Sequence, residues 1–111
     1  MDVTEYVTRD GRRPVSEWID GLKDARARER IFTRIDRLGL GLPGDWKSIG
    51  GALCEMRIDI GPGYRLYFVK DKKRWLLLCG GDKSRQQSDI RRAHEFWEDH
   101  KTRIKPTVSR R

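Results

Sequence analysis

Residues 52–69 read ALCEMRIDIGPGYRLYFV, and this stretch decides the fold. Apolar and charged residues alternate on the N-terminal side of the run Gly61-Pro62-Gly63, and a β-prone run follows it. This pattern is typical of two strands joined by a tight turn. A third apolar run, residues 74–79, follows the turn signal Asp71-Lys72-Lys73. The sequence therefore predicts three consecutive antiparallel strands in the second half of the chain.

The N-terminal half predicts a short strand followed by two helices. Residues 3–8 are β-prone, and Asp10-Gly11 is a turn signal that ends the strand. Pro14 suits the first position of a helix, and a second helix is expected to begin after the capping residue Asp24 and to stop at Gly39. Apolar residues recur at helical spacing in both segments, at Val15, Trp18, Ile19 and Leu22 and then at Ala27, Ile31, Ile35 and Leu38. This half therefore forms a helical hairpin.

The C-terminal part predicts one more helix. Gly80-Gly81 is expected to break the sheet, and Ser84 to cap a helix with an apolar stripe of Ile90, Ala93, Phe96 and Trp97. Residues 40–51 are rich in glycine and are predicted to be an irregular connection. Residues 105–111 are basic and predict a flexible tail after a domain that spans residues 1–104. The predicted order is β-α-α-β-β-β-α, an α+β domain with helices packed on a small antiparallel sheet.

The composition favours polyanionic partners. The 111 residues include 25 Lys and Arg against 17 Asp and Glu, which gives a net charge of +8. Such a balance is typical of proteins that meet nucleic acid or an acidic protein. No apolar run approaches the ~18 residues of a membrane span, and the acidic N-terminus lacks a hydrophobic signal segment, so we expect a cytoplasmic protein with no membrane contact. The two cysteines and two histidines lack metal-ligand spacing, so neither a metal site nor another cofactor is expected.

Three cations stand on or beside strands that are otherwise hydrophobic. Arg57 and Arg65 lie in the first two strands of the sheet, and Lys83 follows the third strand at the Gly80-Gly81 corner. A small sheet has little use for such charges in its core, whereas guanidinium groups grip phosphate through paired N–H donors. The three cations therefore predict an anion-binding site on the sheet.

The turn allows an estimate of which side chains share a face. With Ile60 opposite Tyr64, the cross-strand pairs are Asp59 with Arg65 and Arg57 with Tyr67. These four side chains then share the face opposite the core, where Tyr67 can stack on a base. The alternative is that Arg65 only pairs with Asp59 across the hairpin.

Two segments resemble a known superfamily. Residues 54–67, CEMRIDIGPGYRLY, are similar to the core signature of RelE/ParE-superfamily toxins. Residues 77–90, LLCGGDKSRQQSDI, resemble more narrowly the HigB-like addiction module killer branch, which is related to phage-derived proteins. The resemblance covers nearly the whole chain, from the helix at residues 14–18 to residues 96–97, and implies a RelE-like fold.

The resemblance also implies a function and site residues. It describes a type II toxin that cleaves mRNA on the ribosome without a metal and so inhibits translation and growth, with a cognate antitoxin that is usually a helix-turn-helix protein. The 2′-hydroxyl of the RNA attacks the adjacent phosphate. By position, Arg65 stabilises the charged phosphorane, Arg57 lies near the reacting phosphate, and Lys83 matches a basic residue after the last strand.

The chain departs from the pattern at the residues that transfer protons. Glu55 stands where well-studied RelE members have lysine, Gln86 where they have arginine, and Ile90 where they have a catalytic tyrosine. Because arginine does not give up its proton, the candidate acids and bases are Lys83, Glu55 and Asp59. The expected catalytic residues are Arg65, Arg57, Lys83 and Glu55. The expected substrate-binding residues are Tyr67, Asp59, Arg85, Gln86 and Lys47.

Two other functions fit the same resemblance. One is a ParE-like toxin that binds DNA gyrase and has no nuclease activity, and the missing tyrosine and arginine favour it. The other is a degenerate phage-derived homologue that retains only the fold and the binding of an antitoxin. Cleaved transcripts, DNA-damage signalling or an absence of toxicity would distinguish the three.

Overall fold

The computed structural model describes residues 1–104, so the predicted basic tail at residues 105–111 lies outside the described residues. The elements are β1 (Asp2–Glu5), α1 (Pro14–Asp20), α2 (Ala25–Gly39), β2 (Trp46–Ser48), β3 (Leu53–Ile58), β4 (Tyr64–Asp71), β5 (Arg74–Asp82) and α3 (Gln86–Ile104). A single 3₁₀ turn, Lys83–Arg85, joins β5 to α3. The α+β class and the helical hairpin are confirmed.

The sheet has five strands in the order β1-β5-β4-β3-β2, and it is mixed. Strand β1 runs parallel to β5, from Asp2 opposite Arg74 to Glu5 opposite Leu77, while the other neighbours are antiparallel. The prediction of an antiparallel sheet is therefore wrong at this edge. The partner of β1 lies some seventy residues further along the sequence, and no local sequence pattern indicates which strand it pairs with. Strand β2 is also new, since its three exposed residues carry no period-two pattern.

Helices cover both faces of the sheet. Helices α1 and α2 pack on the first face, whose buried core is Val15, Ile19, Ala27, Ile31, Leu38, Met56, Ile58, Tyr64, Leu66, Phe68 and Leu77. Helix α3 contributes Ala93 and packs on the second face, whose other buried core residues are Tyr6, Leu53, Tyr67, Val69, Leu76, Leu78 and Cys79. The sequence placed Arg57, Arg65 and Tyr67 on a face opposite a single core, and this is wrong in part, because α3 covers much of that face with a second core.

The β3–β4 hairpin has a longer turn than predicted. The last strand pair is Ile58 opposite Tyr64, and Arg57 lies opposite Arg65. The predicted register is thus wrong by two residues, because Asp59 and Ile60 belong to the turn, where the Ile60 amide donates to the Ile58 carbonyl at 3.0 Å. A shift of two keeps the side chains that remain in the strands on their predicted faces, so Arg57 and Arg65 still share a face, and they now lie directly opposite each other.

The two glycines near the end of β5 do not break the sheet. The strand continues through both to Asp82. The expected cap at Ser84 is wrong: Asp82 is the capping residue of the 3₁₀ turn, and its side chain accepts from the Ser84 amide at 2.9 Å. A Cβ at Gly80 would lie 2.3 Å from the Trp18 ring, and one at Gly81 would lie 1.9 Å from Asp89 Oδ2. Glycine is required at both positions because α1 and α3 approach this part of the strand from opposite faces.

Two absences are limited to the part of the chain that the structure describes. Within residues 1–104, no helix has both the length and the apolar composition that a bilayer span requires. The same residues contain no group of three His, Cys, Asp or Glu side chains positioned to hold a metal ion.

Candidate functional site

A cavity of about 380 Å³ opens beside the β3–β4 turn. Its walls include the turn itself, the ends of β3 and β4, and the 3₁₀ turn before α3. The cavity is lined by four of the predicted site residues: Arg57, Asp59, Arg65 and Lys83. We call it the hairpin cavity.

Arg57 is the exposed guanidinium of the hairpin cavity. Its Nη2 lies 3.0 Å from Asp45 Oδ1, and this carboxylate raises the pKa of Arg57. The Arg57 backbone is fixed as well, since its amide donates to the Asp45 carbonyl at 2.9 Å and its carbonyl accepts from Arg34 Nη1 at 2.7 Å. The strand therefore holds Arg57 firmly, while the side chain remains open to water and to a competing anion.

Arg65 is the inner guanidinium and lies directly across the hairpin from Arg57. Its side chain is 12% exposed, and its Nε lies 3.6 Å from Glu55 Oε2, too far for a hydrogen bond. Like charges directly opposite on neighbouring strands repel each other. Asp45 and Glu55 offset this repulsion from the two ends, and an anion between the guanidiniums would offset it further.

Lys83 closes the hairpin cavity from the side of α3. Its backbone amide donates to the Gly63 carbonyl at 2.9 Å, which ties the 3₁₀ turn to the hairpin turn. Its side chain is exposed and has no carboxylate within 4.0 Å among the described residues. Asp59 is likewise exposed and lines the same cavity. The cavity thus combines three cations with one carboxylate that no described cation neutralises.

A cluster of polar groups lies behind Arg65, between the sheet and the start of α3. Glu55 is fully buried and accepts from Gln86 Nε2 at 2.7 Å through one oxygen, while its other oxygen has no partner. Tyr67 Oη and Asp89 Oδ2 are also buried without partners. Four of the six such atoms in the described residues belong to this group, which we call the buried polar cluster: Glu55, Arg65, Tyr67 and Asp89.

Burial raises the pKa of two members of the buried polar cluster, Tyr67 and Asp89. It raises the pKa of Tyr67, and the negative charges of Glu55 and Asp89 raise it further. Burial also raises the pKa of Asp89, although Arg92, with Nη1 at 3.3 Å from Asp89 Oδ1, opposes the shift. Loss of water around a charged group is the dominant cause in both cases.

Comparison with known proteins places the chain in a family. A protein of Haemophilus influenzae, described only as an uncharacterized protein, is 49% identical over 78 residues, which cover 68% of this chain and 78% of that protein. This chain belongs to the same family as the Haemophilus protein. No family model matches it. Because the description of the Haemophilus relative names no activity, the function of this family member is inferred from the hairpin cavity and its charges.

In this family member, five predicted site residues do not line the hairpin cavity. Glu55 and Gln86 lie behind Arg65, where Gln86 donates a hydrogen bond to Glu55, and neither side chain lines the cavity. Tyr67 is 0% exposed beneath α3, and the prediction that its ring stacks on a base is therefore wrong. Arg85 lines a different groove, and Lys47 is exposed on β2 opposite Glu55.

Sequence reasoning missed two residues that shape the hairpin cavity. Arg34 lies in a run of arginines on α2, yet its guanidinium turns inward to the carbonyls of Pro43, Asp45 and Arg57. Asp45 lies in a segment without periodicity, so nothing marked it as the partner of Arg57. The inward orientation of Arg34 carries no signal in the helical pattern.

Proposed function

We propose that this chain is the toxin of a type II toxin–antitoxin pair and that it cleaves mRNA at the hairpin cavity. One observation carries the proposal: two guanidiniums in a single cross-strand pair, Arg57 and Arg65, share a cavity with the ammonium of Lys83, which has no ion-pair partner within residues 1–104. The resemblance to RelE/ParE-superfamily toxins supplies the substrate class. The Haemophilus relative gives no information about the substrate, because its description names no activity.

A phosphodiester suits this arrangement in charge and in size. The Cα atoms of a cross-strand pair are about 5 Å apart, so two guanidiniums can donate to different oxygens of one phosphate. A cavity of about 380 Å³ is at the small end of ligand sites and would take one phosphate with part of its sugar. A bound phosphate would also relieve the repulsion between Arg57 and Arg65.

The proposed reaction uses the nucleophile of the RNA itself. The 2′-oxygen forms a bond to phosphorus while the bond from phosphorus to the 5′-oxygen breaks, which leaves a 2′,3′-cyclic phosphate and a 5′-hydroxyl. Asp59 accepts the proton of the 2′-hydroxyl, and Lys83 donates a proton to the leaving 5′-oxygen. Arg65 and Arg57 stabilise the additional negative charge that develops on the phosphorane oxygens.

Glu55 and Gln86 have a supporting part in this proposal. Glu55 lies 3.6 Å from Arg65 and is itself held by Gln86 at 2.7 Å, so the pair fixes the direction of the inner guanidinium. Preorganised charge of this kind needs little rearrangement when the transition state forms. We therefore assign Glu55 a positioning role in place of the catalytic role that the sequence suggested.

The partners follow from the same charges. A cognate antitoxin, usually a helix-turn-helix protein in this branch, would neutralise the toxin by placing an acidic segment over the hairpin cavity. The net charge of +8 would speed the encounter with such a segment and with ribosome-bound mRNA in the cytoplasm.

Expression of the chain without its antitoxin tests the proposal. Growth should stop and mapped transcripts should gain new 5′ ends, whereas Arg65→Lys, which retains the charge beside Glu55 but loses the planar fork, should abolish both. Lys83→Ala is a second variant that alters only an exposed side chain, and it is expected to have the same effect as Arg65→Lys. Arg26→Ala on the exposed surface of α2 is the control and should behave like the wild type.

Two other outcomes would contradict the proposal. DNA-damage signalling without cleaved transcripts would favour the gyrase-binding alternative. Unimpaired growth in the presence of folded wild-type chain would favour a degenerate homologue that retains only the binding of an antitoxin.

A further inference from the structure

A groove of about 680 Å³ lies on the other side of Tyr64 from the hairpin cavity. It runs between α1 and α3 and crosses the outer edge of β5 at Gly80 and Gly81, and we call it the β5 groove. Tyr64 lines both spaces, so the β5 groove continues the path of a chain that enters the hairpin cavity.

The β5 groove has two causes: β1 is short, and β5 has two glycines beyond the point where its pairing with β1 ends. Pairing between β1 and β5 ends at Leu77, so residues 78–82 have no strand on their outer side among the described residues. Gly80 and Gly81 add no side chains there. Trp18 from one face and Asp89 from the other therefore both reach the same edge of the sheet.

Asp89 gives the β5 groove an unsatisfied acceptor. The residue is 2% exposed and lines the groove; its Oδ1 accepts from Arg92 Nη1 at 3.3 Å, and its Oδ2 has no hydrogen-bond partner in the described chain, residues 1–104. A buried carboxylate oxygen without a donor costs free energy that a hydrogen bond from a ligand would recover. The groove is thus suited to a ligand with an N–H group on its leading edge.

Trp18 and Arg85 define the rest of that ligand. The half-buried Trp18 ring meets the Tyr64 ring edge-on at 6.1 Å and gives the groove a flat aromatic wall. Arg85 is exposed and has no carboxylate within 4.0 Å in the described part of the chain, so it is available for a phosphate. A planar ring, an N–H donor and a phosphate together describe a nucleotide.

We propose that the β5 groove binds one nucleobase that carries an exocyclic amino group, on the nucleotide next to the phosphate in the hairpin cavity. The amino group of cytosine, adenine or guanine donates to Asp89 Oδ2, the ring packs against Trp18, and Arg85 contacts the following phosphate. This inference rests on the proposed RNA substrate. Uracil has no amino group, and the two carbonyl oxygens that flank its one base-edge N–H would face the Asp89 carboxylate, so the groove selects against it.

The size of the selection follows from one hydrogen bond to a carboxylate. A single such contact with a base edge discriminates by about ten-fold in binding. The series that tests it consists of 2′-O-methyl tetranucleotides, which lack the attacking hydroxyl. One is all uridine, and the others carry a single cytidine, adenosine or guanosine at each position in turn.

The wild-type chain should bind one position of the series about ten-fold more tightly when the base carries an amino group. Asp89→Asn should reduce this preference to less than about three-fold, because its amide offers donors as well as an acceptor. Asp20→Asn makes the same charge change on the exposed surface of α1, outside the groove, and should retain the preference. Arg65→Lys should weaken all tetranucleotides alike and leave the preference intact.

The outcomes separate this inference from the proposed function. Equal binding of all tetranucleotides by the wild type would overturn the base site and leave the phosphate site standing, whereas no binding of any would overturn both. If Asp89→Asn does not fold, the Trp18 indole N–H resonance of the wild type decides, since only amino-bearing tetranucleotides should shift it. A Trp18 shift caused by the antitoxin and by no tetranucleotide would assign the groove to the protein partner and overturn the inference.

Discussion

Replacing Tyr67 with Phe should stabilise the chain. The Tyr67 hydroxyl is fully buried under α3 and has no hydrogen-bond partner among the residues that the structure describes, and it lies near the negative charges of Glu55 and Asp89. A buried hydroxyl without a partner costs about 1–3 kcal/mol. Phe keeps the ring and removes this cost, so Tyr67→Phe should raise the free energy of unfolding by about 1 kcal/mol and the melting temperature by roughly 4–8 °C.

Tyr6 provides a matched control on the same face of the sheet. Its hydroxyl donates to Asp99 Oδ2 at 2.5 Å, so the same deletion in Tyr6→Phe should lower the free energy of unfolding by about 1 kcal/mol. Urea and thermal unfolding of the three proteins measure both changes, with equal m-values showing that the compactness of the states is unchanged. A loss of 1 kcal/mol or more in Tyr67→Phe would show that its hydroxyl is satisfied and would refute the description of the buried polar cluster.

Three further predictions concern the sheet and its charges. Asp45→Asn should free the Arg57 guanidinium and tighten RNA binding a few-fold at low salt; a weaker complex would mean that Asp45 orients Arg57 productively. Gly80→Ala should cost about 2 kcal/mol of stability in thermal unfolding, because the new methyl group overlaps the Trp18 ring, and an unchanged melting temperature would contradict the close packing. Burial raises the pKa of Asp89, so this carboxyl group binds a proton more readily in the folded state than in the unfolded state. Ionisation of Asp89 therefore lowers the stability of the fold as the pH rises above 3.8, the ordinary pKa of an aspartate. Asp89→Asn should therefore be more stable than wild type at pH 7, with the difference vanishing near pH 3, and a constant difference would contradict the shift.

The elements that depend on local chemistry were predictable. Asp24 caps α2 as expected, with its side chain accepting from the Arg26 and Ala27 amides, because capping needs only neighbouring residues. The parallel pairing of β1 with β5 was not predictable, since it joins segments far apart in the chain and no local preference specifies it.

The candidate site was partly predictable for a similar reason. Arg57 and Arg65 share a face because alternation along strands survives a register error of two residues. The burial of Glu55 and Tyr67 was missed, because charged residues that alternate along a strand are typical of a solvent-exposed face, and the strand sequence does not show that α3 covers this face. Asp45 was missed because its segment has no repeating pattern.

The cleavage rate of a defined mRNA on programmed ribosomes tests the central claim most directly. The wild-type chain should produce fragments with 2′,3′-cyclic phosphate and 5′-hydroxyl ends. In the proposed reaction Arg65 is the inner phosphate ligand, so Arg65→Lys should lower the rate by roughly 100-fold or more, while Arg26→Ala should not change it. Cleavage by Arg65→Lys within about three-fold of the wild-type rate, or no cleavage by the wild type, would contradict a phosphate-cleaving site at the hairpin cavity.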